Sequence, residues 1–218
     1  MGRFFSFLTT KRTLYLFIVG CGVFLGFVIF SYFVHKDGFS QFDFDMTVRL
    51  QDHIARRWDS WFSYLSTFGS FEPVSVILLL LLIFRRKLMG IFTLFFFGFF
   101  HVLEVYGKTF VSHLPPPEFM VRTEHLIQLP EFNVRLQNSY PSGHMGRALF
   151  MTTFLGVIAI NTKRLNTAQK VFVMCILVLY DVIMGVSRIY LGEHWTTDVI
   201  GGSLLGLAFG LIGVIFVF

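Results

Sequence analysis

The sequence predicts an all-α protein, a bundle of six membrane-spanning helices with a short amphipathic helix on its outer surface. Three observations carry this reading. Hydrophobic residues make up 55% of the 218 positions and charged residues only 14%, too few charges to cover a water-soluble domain of this size. The apolar residues, 30 phenylalanines among them, fall into six runs, each able to cross ~30 Å of hydrocarbon as a helix. The basic residues sit in short clusters between those runs. The net charge of +5 therefore follows a membrane pattern, and no nucleic-acid partner is expected, because that would need a basic stripe on a polar surface.

The first run extends from Thr13 to Val34 behind Arg3, Lys11 and Arg12. It is longer than the apolar region of about 7–15 residues in a signal peptide, and it ends in Ser31-Tyr32-Phe33-Val34 without a small-residue cleavage site, so it reads as an uncleaved span. The others lie at about 66–84, 88–112, 143–160, 171–187 and 196–218. Backbone crossing lipid must satisfy its own hydrogen bonds, which requires helices. No internal repeat or linker interrupts the chain, and residues 1–218 read as one domain. Cys21 and Cys175 both lie inside apolar runs and suit small core or lipid-facing positions better than a disulfide. No Cys/His metal spacing occurs, and no metal or cofactor is expected.

Charge sets the expected orientation. Residues 1–12, 85–87 and 161–170 hold Arg3, Lys11, Arg12, Arg85, Arg86, Lys87, Lys163, Arg164 and Lys170, with no acidic residue, whereas loops 36–60 and 113–141 hold six basic and eight acidic residues. The positive-inside rule then places both termini in the cytoplasm of a cell-membrane protein. Trp58 and Trp61 mark the outer end of the second span, and segment 44–60 reads as an amphipathic helix on the outer surface.

This topology brings three polar clusters to the outer side. Lys108 ends the third run, Tyr140-Pro141-Ser142-Gly143-His144 opens the fourth, and Ser187-Arg188 through Glu193-His194 to Asp198 joins the fifth and sixth. Each suits phosphate. Arg188 offers a planar fork of donors and Lys108 a point charge. Ser142 and Gly143 sit at a helix start, where backbone donors and the helix dipole favour an anion. His194 and Asp198 are four residues apart, so the carboxylate can hold the imidazole in one tautomer and leave its other nitrogen free to attack. His144 can protonate a leaving oxygen. Singly, each residue would read as an interfacial or capping group; their order on one side argues against that. Glu104, one turn before Lys108, reads as its ion-pair partner. Asp181, at membrane depth, is expected to need a partner, and Glu193 reads as solvated.

Pro141-Ser142-Gly143-His144 and Ser187-Arg188-x5-His194-x3-Asp198 resemble the second and third signatures of the type 2 phosphatidic acid phosphatase superfamily, whose soluble relatives are the vanadium haloperoxidases. The resemblance covers about residues 108–198. It implies a helical bundle and a metal-independent phosphatase acting on a lipid phosphate or diphosphate through a phosphohistidine. His194 would attack, Asp198 orient it, and His144 serve as acid and then base. Lys108, Ser142, Gly143 and Arg188 would hold the phosphoryl oxygens. The outward site favours a polyprenyl (undecaprenyl) diphosphate; phosphatidic acid and phosphatidylglycerophosphate compete, with headgroup choice assigned to loop 113–141. A phosphotransferase would use the same histidines.

One position departs from the family. The first signature is Lys-x6-Arg-Pro, and after Lys108 the arginine position is Pro115. Losing one such donor typically costs ~3 kcal/mol of transition-state stabilisation, which also opens a non-catalytic, lipid-phosphate-binding reading. A replacement cation is expected from Arg147, Arg122 or His113. Arg147, three residues after His144 on one helix face, is preferred, with pairing to Asp181 as its structural alternative. His113 would be charged only below about pH 6.5 if unperturbed.

Overall fold

The computed structural model describes residues 11–85, 89–123 and 137–217. Arg3, Arg86, Lys87 and residues 124–136 of the loop assigned to headgroup choice lie outside the described residues.

Among the described residues, eight α-helices follow in order: α1 Lys11–His35, α2 Ser40–His53, α3 Asp59–Thr67, α4 Phe71–Arg85, α5 Gly90–Phe110, α6 Gly143–Asn161, α7 Thr167–Tyr190 and α8 Thr196–Val214, with 3₁₀ turns at Arg56–Trp58, Glu118–Met120 and Ile215–Val217. Among the described residues there is no strand. Helices α1, α5, α6 and α7, and α8 with its closing turn, are each long and apolar enough to cross a membrane. The segments Arg56–Thr67 and Phe71–Phe84 are long and apolar enough to cross only when taken together, with a 43° bend between them, which makes up to six spans. The protein is an integral membrane bundle.

Two boundaries differ from the sequence reading. The surface helix covers Ser40–His53 rather than 44–60, because Ile54 turns extended (φ −102°, ψ 119°) and ends it. The second span starts earlier and is broken: α3 stops at Thr67, and the chain turns through Phe68–Ser70 before α4. Hydropathy averages over a window and cannot register a kink inside an apolar run. Trp58 and Trp61 accordingly sit on the first arm of this bent pair, both 44% exposed.

Helices α6 and α8 form the centre. About two thirds of each apolar stretch is buried inside the protein, 61% and 67%, against 17% for α1 and for α7. Their contact depends on glycine. A methyl group on Gly202 would strike the Ser142 carbonyl, and one on Gly206 the Gly146 carbonyl, the close backbone approach that small residues permit between membrane helices. Thr93 of α5 donates to the Gly213 carbonyl at 2.8 Å. Phe97, Phe100, Phe150, Phe154, Leu205 and Phe209 fill the same interior. The outward faces of α1 and α7 carry exposed Leu14, Phe17, Ile18, Phe172, Ile176 and Leu179, as lipid contact requires. Cys21 and Cys175 are free thiols on these faces.

Asp181 meets its expected need for a partner within the bundle. The Thr152 hydroxyl lies 2.8 Å from one carboxylate oxygen and 3.1 Å from the other.

Candidate active site

Helix α6 begins at Gly143 with Ser142 as its N-cap residue. The Ser142 amide donates to the Asp198 carbonyl at 3.0 Å, which docks the start of α6 against the start of α8. Its hydroxyl makes no cap hydrogen bond, is fully buried, and has no partner among the described residues. A buried hydroxyl without a partner at a helix N-terminus, where amides and dipole point outward, is a donor suited to an anion. The preceding peptide, Tyr140-Pro141, is cis. The Tyr140 ring is buried, stacks on Phe27 of α1, and its hydroxyl shares a 2.8 Å hydrogen bond with Ser31.

The third cluster folds as helix end, tight turn, helix start. Gly192 makes the turn at φ +69°, a conformation that a side chain would strain, and a methyl there would also strike the Met120 carbonyl. The Arg188 carbonyl accepts from the amides of Glu193 and His194, both at 3.2 Å. His194 Nδ1 then lies 3.3 Å from Asp198 Oδ2. A carboxylate only accepts, so Nδ1 carries the proton and Nε2 keeps its lone pair. Burial pushes the His194 imidazole below its ordinary titration, more than Asp198 holds it up, and Arg188 and Lys108 add to the lowering.

The cations are held by carboxylates. Glu104, 6% exposed, takes Lys108 Nζ at 3.0 Å and Arg147 Nη1 at 3.2 Å, while His101 Nδ1 lies 3.0 Å from its second oxygen. Arg147 also donates through Nε to the Gly69 carbonyl at 2.9 Å. Gly143 packs so tightly here that a methyl would strike Glu104. Arg188 is completely buried; its guanidinium contacts Ser66 of α3 and pairs with Glu193, and its Nε has no partner among the described residues. The charges of Arg188, Arg147, Lys108 and His194 all bear on His144.

The structure thus gathers Lys108, Ser142, Gly143, His144, Arg147, Arg188, His194 and Asp198 into one cluster. Arg122 stands apart. Its amide donates to Leu191 O, its Nη1 to Gln51 O, and its guanidinium lies 5.2 Å over the Tyr190 ring. Arg147 is not the partner of Asp181; it reaches Glu104 instead. Glu193 is not solely solvated, since it pairs with Arg188 and accepts from the Thr123 hydroxyl.

His113 also departs from expectation. It is buried between Asp198 (Nδ1–Oδ1 2.9 Å) and Asp43 of α2 (Nε2–Oδ2 3.5 Å). Burial opposes its charge, but the two carboxylates prevail and raise its titration to about 9. Asp43 carries no local pattern that links it to the cluster; only the packing of α2 across α8 reveals it. Among the described residues no group of three or more His, Cys, Asp or Glu is placed to hold a metal ion.

Comparison with known proteins bears on the family and the fold. A 69-residue stretch is 36% identical to phosphatidylglycerophosphatase B of Bacillus subtilis (strain 168), covering 32% of this chain and 34% of that protein. A 144-residue stretch is 33% identical to an undecaprenyl-diphosphatase of Sulfolobus acidocaldarius, covering 66% of this chain and 63% of the relative. The aligned stretch is thus about a third of one relative and a little under two thirds of the other. The fold matches the crystal structure of a transmembrane PAP2-type phosphatidylglycerolphosphate phosphatase from Bacillus subtilis, with a TM-score of 0.71 at 22% identity over 90% of this chain and 93% of that one. It also matches Aquifex aeolicus LpxE, with a TM-score of 0.55 at 22% identity over 79% and 94%. The model of the PAP2 superfamily matches residues 76–218, a stretch that holds Lys108, His113, both signatures and Arg147, and the chain therefore belongs to that superfamily.

Proposed function

We propose that this single-domain protein is a lipid phosphate phosphatase that works through a phosphohistidine at the outer face of the membrane. The observation that carries the proposal lies at the start of α6. There the unpartnered Ser142 hydroxyl lies in the same cluster as His194, which Asp198 holds with Nε2 free. In this reading Nε2 attacks phosphorus, forming the N–P bond as the P–O bond to the lipid alkoxide or phosphate breaks. His144 gives that leaving oxygen its proton, and then takes one from the water that hydrolyses the phosphohistidine. Ser142, the Gly143 amide, Lys108, Arg147 and Arg188 hold the phosphoryl oxygens and stabilise the charge that builds on them. Glu193, now on Arg188, would yield part of that guanidinium to the phosphate.

The substrate class we favour is a polyprenyl diphosphate, ahead of phosphatidic acid and phosphatidylglycerophosphate. Support comes from the undecaprenyl-diphosphatase name of the relative with the longer aligned stretch and from the charge asymmetry, by which the cluster is expected outside. The test is release of inorganic phosphate by the purified protein in micelles from those three lipids. Release should persist in excess EDTA, because Lys108, Arg147 and Arg188 supply the positive charge, and vanadate should inhibit as a five-coordinate mimic at His194. A strict Mg²⁺ requirement would contradict the mechanism. Absence of release from all three lipids would favour the non-catalytic reading that Pro115 keeps open. For orientation, single cysteines at exposed Phe119 and Lys163, with Cys21 and Cys175 replaced, should differ in intact cells. An impermeant thiol reagent should label the first and spare the second; the reverse would put the site in the cytoplasm.

A further inference from the structure

His113 is locked in place from every side. Its amide donates to Asn138 Oδ1 at 3.0 Å, and its carbonyl accepts from the Ser139 amide at 2.9 Å and hydroxyl at 3.1 Å. The Tyr140 ring meets its imidazole edge-on, 6.4 Å between centres. Asp43 is fixed on its far side by Thr197, whose amide lies 2.8 Å from Oδ1 and whose hydroxyl lies 2.6 Å from Oδ2. Asp43 and Asp198 are 1% and 0% exposed. The result is a continuous buried series: Asp43, His113, Asp198, His194.

A neutral imidazole has one N–H. Between two carboxylates it would leave a lone pair facing a negative charge. The imidazolium has two N–H groups and satisfies both neighbours. The charged groups facing His113 are Asp198 from α8 and Asp43 from α2, with the Tyr140 phenol from the segment before α6. Lys108 and Arg188 act on His194 instead.

We propose that His113 is a positioning residue for the reaction: as an imidazolium it fixes Asp198 and offsets part of its charge, and so sets the protonation of His194. This rests on the reading of His194 as nucleophile. The sign follows from counting charges. Asp43, His113 and Asp198 together carry −1 with His113 protonated and −2 without that proton. The more negative group binds a proton at His194 more tightly, and a protonated His194 cannot attack. The cation absent at Pro115 is therefore present two residues earlier, aimed at the nucleophile's carboxylate rather than at phosphate.

The test is His113→Gln in the full chain in micelles, with dioctanoyl phosphatidic acid as substrate. Glutamine keeps an N–H for Asp198 but not the charge. The acid limb of kcat/KM should move to higher pH, with kcat near pH 6 down ~10-fold and KM within about twofold. A uniform fall at every pH, or a change in KM alone, would overturn the proposal. Spectra of ¹⁵N-histidine protein read the same quantity without turnover: His194 should titrate at higher pH in the variant, and an unmoved His194 overturns the proposal. This arm decides even if wild type releases no phosphate, an outcome that sinks only the proposed function. If His113→Gln does not fold, His113→Asn replaces it. It removes the same charge beside Asp198, so His194 should again titrate at higher pH; failure of His194 to move is again decisive.

Discussion

Glu104 and Asp198 are two buried carboxylates that organise the two halves of the polar cluster. Each has one partner four residues away on or beside its own helix: Lys108 for Glu104, His194 for Asp198. Each has a second from far along the chain, Arg147 for Glu104 and His113 for Asp198. The difference lies in what is held. The guanidinium of Arg147 cannot shed its proton, so Glu104 chiefly fixes the position of positive charge in the cluster and keeps buried cations from standing unpaired, an arrangement costly to break. Glu104 also takes one imidazole, His101, but both side-chain partners of Asp198 are imidazoles, whose proton occupancy depends on the carboxylate. The same helical spacing thus serves placement of charge in one half and control of protonation in the other. The acid–base chemistry of the partner decides which.

Three experiments press on this contrast. The largest effect is expected from the Asp198 half. His194→Ala should lower phosphate release ~10⁴-fold or more while the protein still folds, because no other group can form the phosphoenzyme. Substantial activity in a well-folded variant would end the assignment of nucleophile to that half.

The Glu104 half should give a smaller loss. Arg147→Ala is expected to slow turnover ~10²-fold, whereas Arg122→Ala, which removes only the contacts to Gln51 and Tyr190, should stay within a few-fold. Near-normal rates in both variants would mean that Glu104 holds a cation with no part in turnover. A large loss at Arg122 and none at Arg147 would move the replacement cation to the outer loop.

The smallest effect separates the halves by pH. His113 titrates at about 9 in the folded protein and near about 6.5 when unfolded. Its raised value means that its ion pairs contribute fully below about pH 6.5, and that this contribution is lost as pH rises through about 9. The thermal midpoint in micelles should therefore fall across that window more steeply in wild type than in His113→Gln. Equal slopes would remove His113 from the account of stability.

Much of the site is legible in one dimension because helices convert spacing into geometry. Glu104 and Lys108 meet because residues four apart share a helix face, and His194, one residue before the N-cap Trp195 rather than on the helix, reaches Asp198 in the first turn of α8. Pro141-Ser142-Gly143-His144 announces a helix start, and the structure finds the N-cap at Ser142. What spacing could not convey is a partner from another helix. Glu193 read as solvated because nothing nearby identifies Arg188 as its neighbour; the Gly192 turn folds it back. Spacing alone leaves Arg147 open between Asp181 and the polar cluster, and the packing of α6 beside α5 brings it to Glu104.

The sequence by itself determined the apolar spans, the charge asymmetry, and the two local pairs, because hydropathy and helical periodicity are properties of contiguous residues. Only the tertiary structure decided the kink at Phe68–Ser70, the exclusion of Arg122, and the placement of Asp43 and His113 behind Asp198. Those depend on which helix faces meet. That is set by side-chain volume at the contacts, above all by Gly202 and Gly206, where α8 closes on the backbone of α6.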